Sequence, residues 1–134
     1  MFTEIMGLKT EYEIWGEGDI PVLLLHGWGA SFDTFRGIVS ALSDRCKLYA
    51  VNFPGCGNSQ VMPEPWNLDD YCEFVLEFVK SMGLKNPILI GHSHGGRVTM
   101  KLTADGKLNP PKIVLLDAAG LIPKKSFKQK AKAR

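Results

Sequence analysis

Histidine and cysteine are both sparse in this chain, three of each among 134 residues. Cys46, Cys56 and Cys72 are odd in number and lack the paired spacing of metal ligands. That argues against a disulfide framework or a zinc site and points to reduced thiols in a cytosolic protein. Long apolar runs are missing: none approaches the roughly 20 residues that cross a bilayer. Met1-Phe2-Thr3-Glu4-Ile5 has neither the basic start nor the apolar core of a signal peptide. Basic charge is scarce except at the end, where Lys124, Lys125, Lys128, Lys130, Lys132 and Arg134 meet no acid. The remainder holds ten basic and fourteen acidic residues, so a wide basic surface for nucleic acid is not expected. Internal repeats are absent, and the basic tail is the only low-complexity stretch.

The composition that remains, 45% hydrophobic and 22% charged, is that of one soluble globular domain with a real core. Thr3–Ile5 and Thr10–Trp15 read as an opening hairpin about Gly7. Pro21–Leu25 is a continuous apolar run, as in a strand buried on both faces of a parallel sheet. Ser31 is placed to cap a helix through Leu42, with Phe32, Phe35, Val39 and Leu42 at helical spacing. Lys47–Asn52 reads as a strand. Asn67 caps an amphipathic helix whose apolar face is Leu68, Tyr71, Cys72, Val75, Leu76, Val79 and Met82, ended by Gly83. Pro87–Ile90 is a strand followed by a helix from Gly96, and Ile113–Leu116 is a further buried parallel strand. The alternation predicts a doubly wound, mostly parallel α/β sheet with an N-terminal hairpin.

Ligands of such sheets bind beyond the carboxyl ends of the strands. His26–Gly29, Phe53–Ser59, Ser93 and Asp117 all fall there. Gly91-His92-Ser93-His94-Gly95, between strand and helix, has the form of a nucleophile elbow. Ser93 is the expected nucleophile, lifted clear of the sheet on a strained turn. Gly91 and Gly95 are expected where strand and helix cross too closely for a Cβ. A serine nucleophile needs oxyanion donors and a base. The amides of His94 and Trp28 are the expected donors, with Gly27 and Gly29 letting the loop turn inward. His26 is expected to hold that loop. His92 and His94 adjoin Ser93, but an elbow points successive side chains apart, so neither is expected to act as base; His94 is expected to line the pocket. Asp117 is a candidate acid, with loop anchoring as the competing role. Cys56 lacks a base partner and is read as an idle thiol.

Leu25-His26-Gly27-Trp28-Gly29, Asn52-Phe53-Pro54-Gly55-Cys56-Gly57-Asn58-Ser59 and Gly91-His92-Ser93-His94-Gly95-Gly96 resemble three signatures of the α/β-hydrolase superfamily, in its order and spacing. They look most like the cap-bearing bacterial carboxylesterases and carbon–carbon bond hydrolases. Asn52 departs from the aspartate such relatives often carry, which bears on loop anchoring. The resemblance implies an α/β-hydrolase core over residues 1–123 and a basic cap entrance over 124–134. It further implies hydrolysis of a small ester or related acyl or carbon–carbon bond through an acyl-serine, with no metal or organic cofactor. In that family the acid and histidine lie further along, and an apolar Ile113–Leu116 strand is ill suited to a sheet edge. The expectation is therefore an N-terminal half whose base comes from missing chain or a partner. Two other readings share the site: a non-catalytic binding module and a cofactor-free haloperoxidase-like activity.

Overall fold

A computed structural model describes residues 1–117, so the 124–134 segment lies outside the described residues. Among the described residues six strands form one sheet, in the order β1-β2-β4-β3-β5-β6. β1 (Phe2–Ile5) and β2 (Leu8–Trp15) are the antiparallel hairpin, turning at Met6 and Gly7 with positive φ. β2 pairs antiparallel with β4 (Cys46–Val51), and β4, β3 (Ile20–Leu25), β5 (Ile88–His92) and β6 (Ile113–Leu116) run parallel. The doubly wound, mostly parallel sheet with its hairpin is as the residue pattern predicted.

Period-two alternation splits the β3 side chains between two cores. Val22 and Leu24 pack with Leu48, Ala50, Ile90 and the aromatic rings of Phe32 and Phe35 on one face. Leu23 and Leu25 face the opposite way, onto α2 (Leu68–Ser81) and α3 (His94–Ala104). A sheet buried on both faces explains why Pro21–Leu25 shows no polar alternation.

Four local readings need correction. The expected helix from Ser31 to Leu42 is two pieces, a 3-10 turn at Phe32–Phe35 and α1 (Arg36–Leu42). Ser31 caps only the first, accepting from the Asp33 amide at 3.2 Å. The buried face of α2 is Tyr71, Cys72, Phe74, Val75, Phe78 and Val79. Phe74 and Phe78 are fully buried, whereas Leu68, Leu76 and Met82 sit at the rim. The larger rings win the sheet-facing positions because they bury more apolar area there. The third correction is α3, which starts at His94, two residues before Gly96. Finally, β6 pairs only with β5 among the described residues, and Ile113, Val114 and Leu116 are 37–38% exposed. It is an edge strand here.

Asn67 caps α2 as expected, within a full capping box. Its side chain accepts from the Asp70 amide at 2.9 Å, and Asp70 accepts from the Asn67 amide at 2.9 Å. Among the described residues no helix is long and apolar enough to cross a membrane. The chain steps from β3 to β4 on one side and then to β5 on the other. The strand order therefore reverses at the carboxyl ends of β3 and β5, where His26–Gly29 and Ser93 lie.

Candidate active site

Ser93 holds φ 55 and ψ −115, between the last residue of β5 and the first of α3. A β-carbon makes positive φ costly, so the surroundings must impose this conformation. They do so by hydrogen bonds on both sides. The Ser93 amide donates to the Leu116 carbonyl at 3.1 Å, and its carbonyl accepts from Gly96 and Arg97 at 2.9 and 3.1 Å. Helix α3 thus begins directly on the strained residue. A Cβ on Gly91 would lie 2.6 Å from the Gly95 carbonyl oxygen and 2.7 Å from Thr99 Oγ1. One on Gly95 would run into the Leu25 carbonyl and lie 2.8 Å from the His26 oxygen. Both glycines are where the close crossing requires them.

The loop after β3 packs directly on this elbow. A Cβ on Gly27 would be 3.0 Å from Ser93 Cβ and 3.1 Å from His92 Nδ1. His26, fully buried, fastens the loop. Its Nε2 accepts from the Phe53 amide at 3.0 Å. The ring proton therefore sits on Nδ1, which donates to the Gly27 carbonyl at 2.7 Å. Burial pushes the His26 pKa down, reinforced by nearby His92 and opposed by the Gly27 bond. The ring is neutral with both nitrogens occupied, leaving no lone pair for a proton in transit.

His94 differs. It is 3% exposed, and neither ring nitrogen has a hydrogen-bond partner among the described residues. Its neighbours are aromatic: Trp28 stacks on it at 4.0 Å and 23°, Tyr71 meets it edge-on at 4.6 Å, and Phe53 does so at 5.5 Å. Burial, then the positive charge of Arg97, then His26 hold its pKa down to about 4, so it is neutral at pH 7. Unsatisfied buried polar atoms destabilise a fold by about 1–3 kcal/mol. His94→Phe keeps the ring packing and removes both nitrogens, and is expected to raise stability by about 1 kcal/mol. Urea unfolding monitored by circular dichroism checks this; a loss of stability would contradict it.

A third set of contacts anchors the loop after β4. Asn52, buried, accepts from the Phe32 amide at 2.7 Å and donates through Nδ2 to Glu11 Oε1 at 2.8 Å. Glu11 also accepts from the Asn58 amide at 2.8 Å and Asn58 Nδ2 at 3.2 Å. Ser59 Oγ accepts from the Glu11 amide and donates to the Asn52 carbonyl. Burial alone would raise the Glu11 pKa, but the Asn58 and Asn52 donors and the N-terminal ammonium lower it overall. Nothing in the residue pattern singles out Glu11, because its strand placement carries no local signal of a partner 41 residues away. Helical spacing marks Tyr71 only as part of the α2 face, whereas its ring also closes the His94 cluster.

Asp117 is exposed and has φ 44, one residue past the Leu116 carbonyl that holds Ser93. Burial pushes the Cys56 thiol up, so little thiolate is present at neutral pH. Cys46, Cys56 and Cys72 are all free thiols. Among the described residues no cluster of three or more His, Cys, Asp or Glu side chains could hold a metal.

Residues 20–132 match the alpha/beta hydrolase fold family. A serine hydrolase-like protein of Danio rerio is 33% identical over 114 residues, covering 83% of this chain and 35% of its own length. A soluble epoxide hydrolase of a Corynebacterium species is 28% identical, over 84% of this chain and 39% of its own. The solved esterase of Exiguobacterium antarcticum superposes with a TM-score of 0.80 at 28% identity, covering 89% of this chain and 45% of that one. The chain spans about a third of the length of the curated relatives it matches. The family match and the sheet topology together place this chain in the α/β hydrolase fold family.

Proposed function

We propose that the natural protein hydrolyses a small ester or a related acyl or carbon–carbon bond through an acyl-serine at Ser93. The observation that supports this best is the forced φ of Ser93 at the strand-order reversal, with Gly27 packed against its Cβ. In this reading Ser93 Oγ attacks the carbonyl carbon and loses its proton to a base. The oxyanion is held by the amides of Trp28 and His94, at the positively polarised start of α3. The tetrahedral intermediate collapses, expelling the leaving group, which takes the proton. Water then adds to the acyl-serine and releases the acid. In this reading none of the three histidines is the base. His26 has both nitrogens engaged, His94 is enclosed, and His92, the last residue of β5, directly precedes Ser93 on an elbow that turns successive side chains apart. We assign the base to the natural protein outside residues 1–117, and Asp117 to either the acid or loop anchoring. Small-molecule turnover in a reducing compartment, without metal or organic cofactor, completes the proposal.

The engaged state of His26 equally favours a second reading, a binding module that retains the elbow without turnover. A fluorophosphonate probe separates the two. Incubated with the natural full-length protein and mapped by peptide mass spectrometry, it should leave one adduct, on Ser93. An unlabelled Ser93 would favour the binding module and remove the acyl-serine.

A further inference from the structure

His94 presents an unusual arrangement beside Ser93. Its imidazole is almost wholly enclosed, and the rings of Trp28, Tyr71 and Phe53 pack against it. A neutral imidazole carries one donor and one acceptor. Among the described residues neither is used. Packing alone would be served better by phenylalanine at this position, because the nitrogens cost stability and gain no partner among the described residues. Polar groups left unpaired in a core are explained when a ligand pairs them.

The cover over that imidazole is Trp28, whose side of the cluster faces water: the residue is 63% exposed. Its neighbours are Gly27 and Gly29, the latter at φ 66 with nothing within 4 Å of a Cβ position. Ring contacts with His94 and Tyr71, at 4.0 and 5.6 Å, hold the indole. Such aromatic pairs add only modestly to the area they bury, so a ligand that pairs the imidazole can displace the indole. The same Trp28 belongs to the loop packed on Ser93 through Gly27, and His94 directly follows Ser93 in the chain, so the covered imidazole is part of the same elbow.

We propose that His94 is a specificity-determining residue, exposed by movement of Trp28, whose imidazole hydrogen-bonds an oxo or hydroxyl oxygen on the acyl chain of the substrate. This rests on the acyl-serine reading and narrows its substrate class to oxygen-substituted acyl esters. A site built to hydrogen-bond such an oxygen discriminates against the plain alkanoyl analogue, which leaves the imidazole unpaired.

The test reads binding, so it does not depend on turnover. The natural full-length protein carrying Ser93→Ala is labelled with fluorotryptophan, and the Trp28 signal is assigned by its loss in Trp28→Phe. Methyl levulinate and methyl valerate differ only by an oxo group in place of a methylene. Levulinate is expected to shift the Trp28 fluorine resonance with a Kd about tenfold below that of valerate. Adding His94→Phe should bring the two esters to within about twofold, and His94→Gln, which keeps a donor and an acceptor, should restore part of the preference. Equal binding of both esters, no binding of either at millimolar concentration, or a preference that survives His94→Phe would overturn the proposal. Should the preference depend on His94 while the fluorophosphonate leaves Ser93 unlabelled, the acyl-serine falls and the pocket assignment stands.

Discussion

Gly95→Ala is expected to cost about 4 kcal/mol or more, enough to leave much of the protein unfolded at room temperature. The added methyl would run into the Leu25 carbonyl and lie 2.8 Å from the carbonyl oxygen of His26. Neither obstacle is a flexible side-chain end. Leu25 is paired on both sides, to Val51 of β4 and Gly91 of β5, so its carbonyl cannot yield without distorting the middle of the sheet. Relief must come from α3 moving outward, which would pull its start away from Ser93. Gly91→Ala meets Thr99 Oγ1 and the Gly95 carbonyl oxygen instead. The hydroxyl can rotate but the carbonyl cannot, and about 2–3 kcal/mol is expected, within the usual range for overpacking. Gly37→Ala supplies the control. Gly37 lies in α1, has nothing within 4 Å of its Cβ position, and should gain a few tenths of a kcal/mol through reduced chain entropy, roughly in line with helix propensity. Urea unfolding of the three variants gives the ranking. Equal stability of Gly95→Ala and Gly37→Ala would refute the close crossing of strand and helix.

Asn52→Asp, a change of one amide to a carboxylate, should destabilise the fold by about 2 kcal/mol at pH 7, after allowing for the water around Glu11. The Phe32 amide would still find its acceptor. The other end of the side chain changes from donor to acceptor and faces Glu11 Oε1, now 2.8 Å from the Asn52 amide nitrogen. Two carboxylates at that separation cannot both stay ionised without repulsion. The deficit relative to wild type should therefore shrink on acidification, as one of the pair takes up a proton and becomes the missing donor. The wild-type dependence has the opposite sense. The Glu11 pKa is lowered on folding, so its contribution is complete above the ordinary glutamate value and is lost as pH falls through the lowered folded one. Parallel urea titrations at pH 7 and near pH 4.5 distinguish these trends. A deficit that grows on acidification would rule out the carboxylate clash. In this chain the carboxylate of this hydrogen-bonded pair is supplied from β2, by Glu11, and Asn52 supplies the donor.

Much of the site was legible in the residues because it rests on local rules. A serine between two glycines, after an apolar strand and before a helix, has few ways to fold. The glycines at 91 and 95 proved to sit at contacts that no Cβ could tolerate. Asn67 announced its helix because a cap acts over three residues. The sheet followed from alternating apolar runs and from the handedness of crossovers. Helix faces and ends were less legible. The face of α2 depended on which of several adjacent apolar residues filled the space under the sheet, and Phe74 and Phe78 did so by size.

The chain by itself therefore determined the elbow, the order of strands and helices, and the collection of candidate groups at one sheet edge, because each follows from backbone sterics and short-range periodicity. Only the tertiary structure decided the protonated nitrogen of His26, the pairing of Glu11 with Asn52 and the enclosure of His94 by Trp28, Tyr71 and Phe53. Those depend on residues from separate elements meeting in space, and hydrogen-bond partners and desolvation are properties of that meeting.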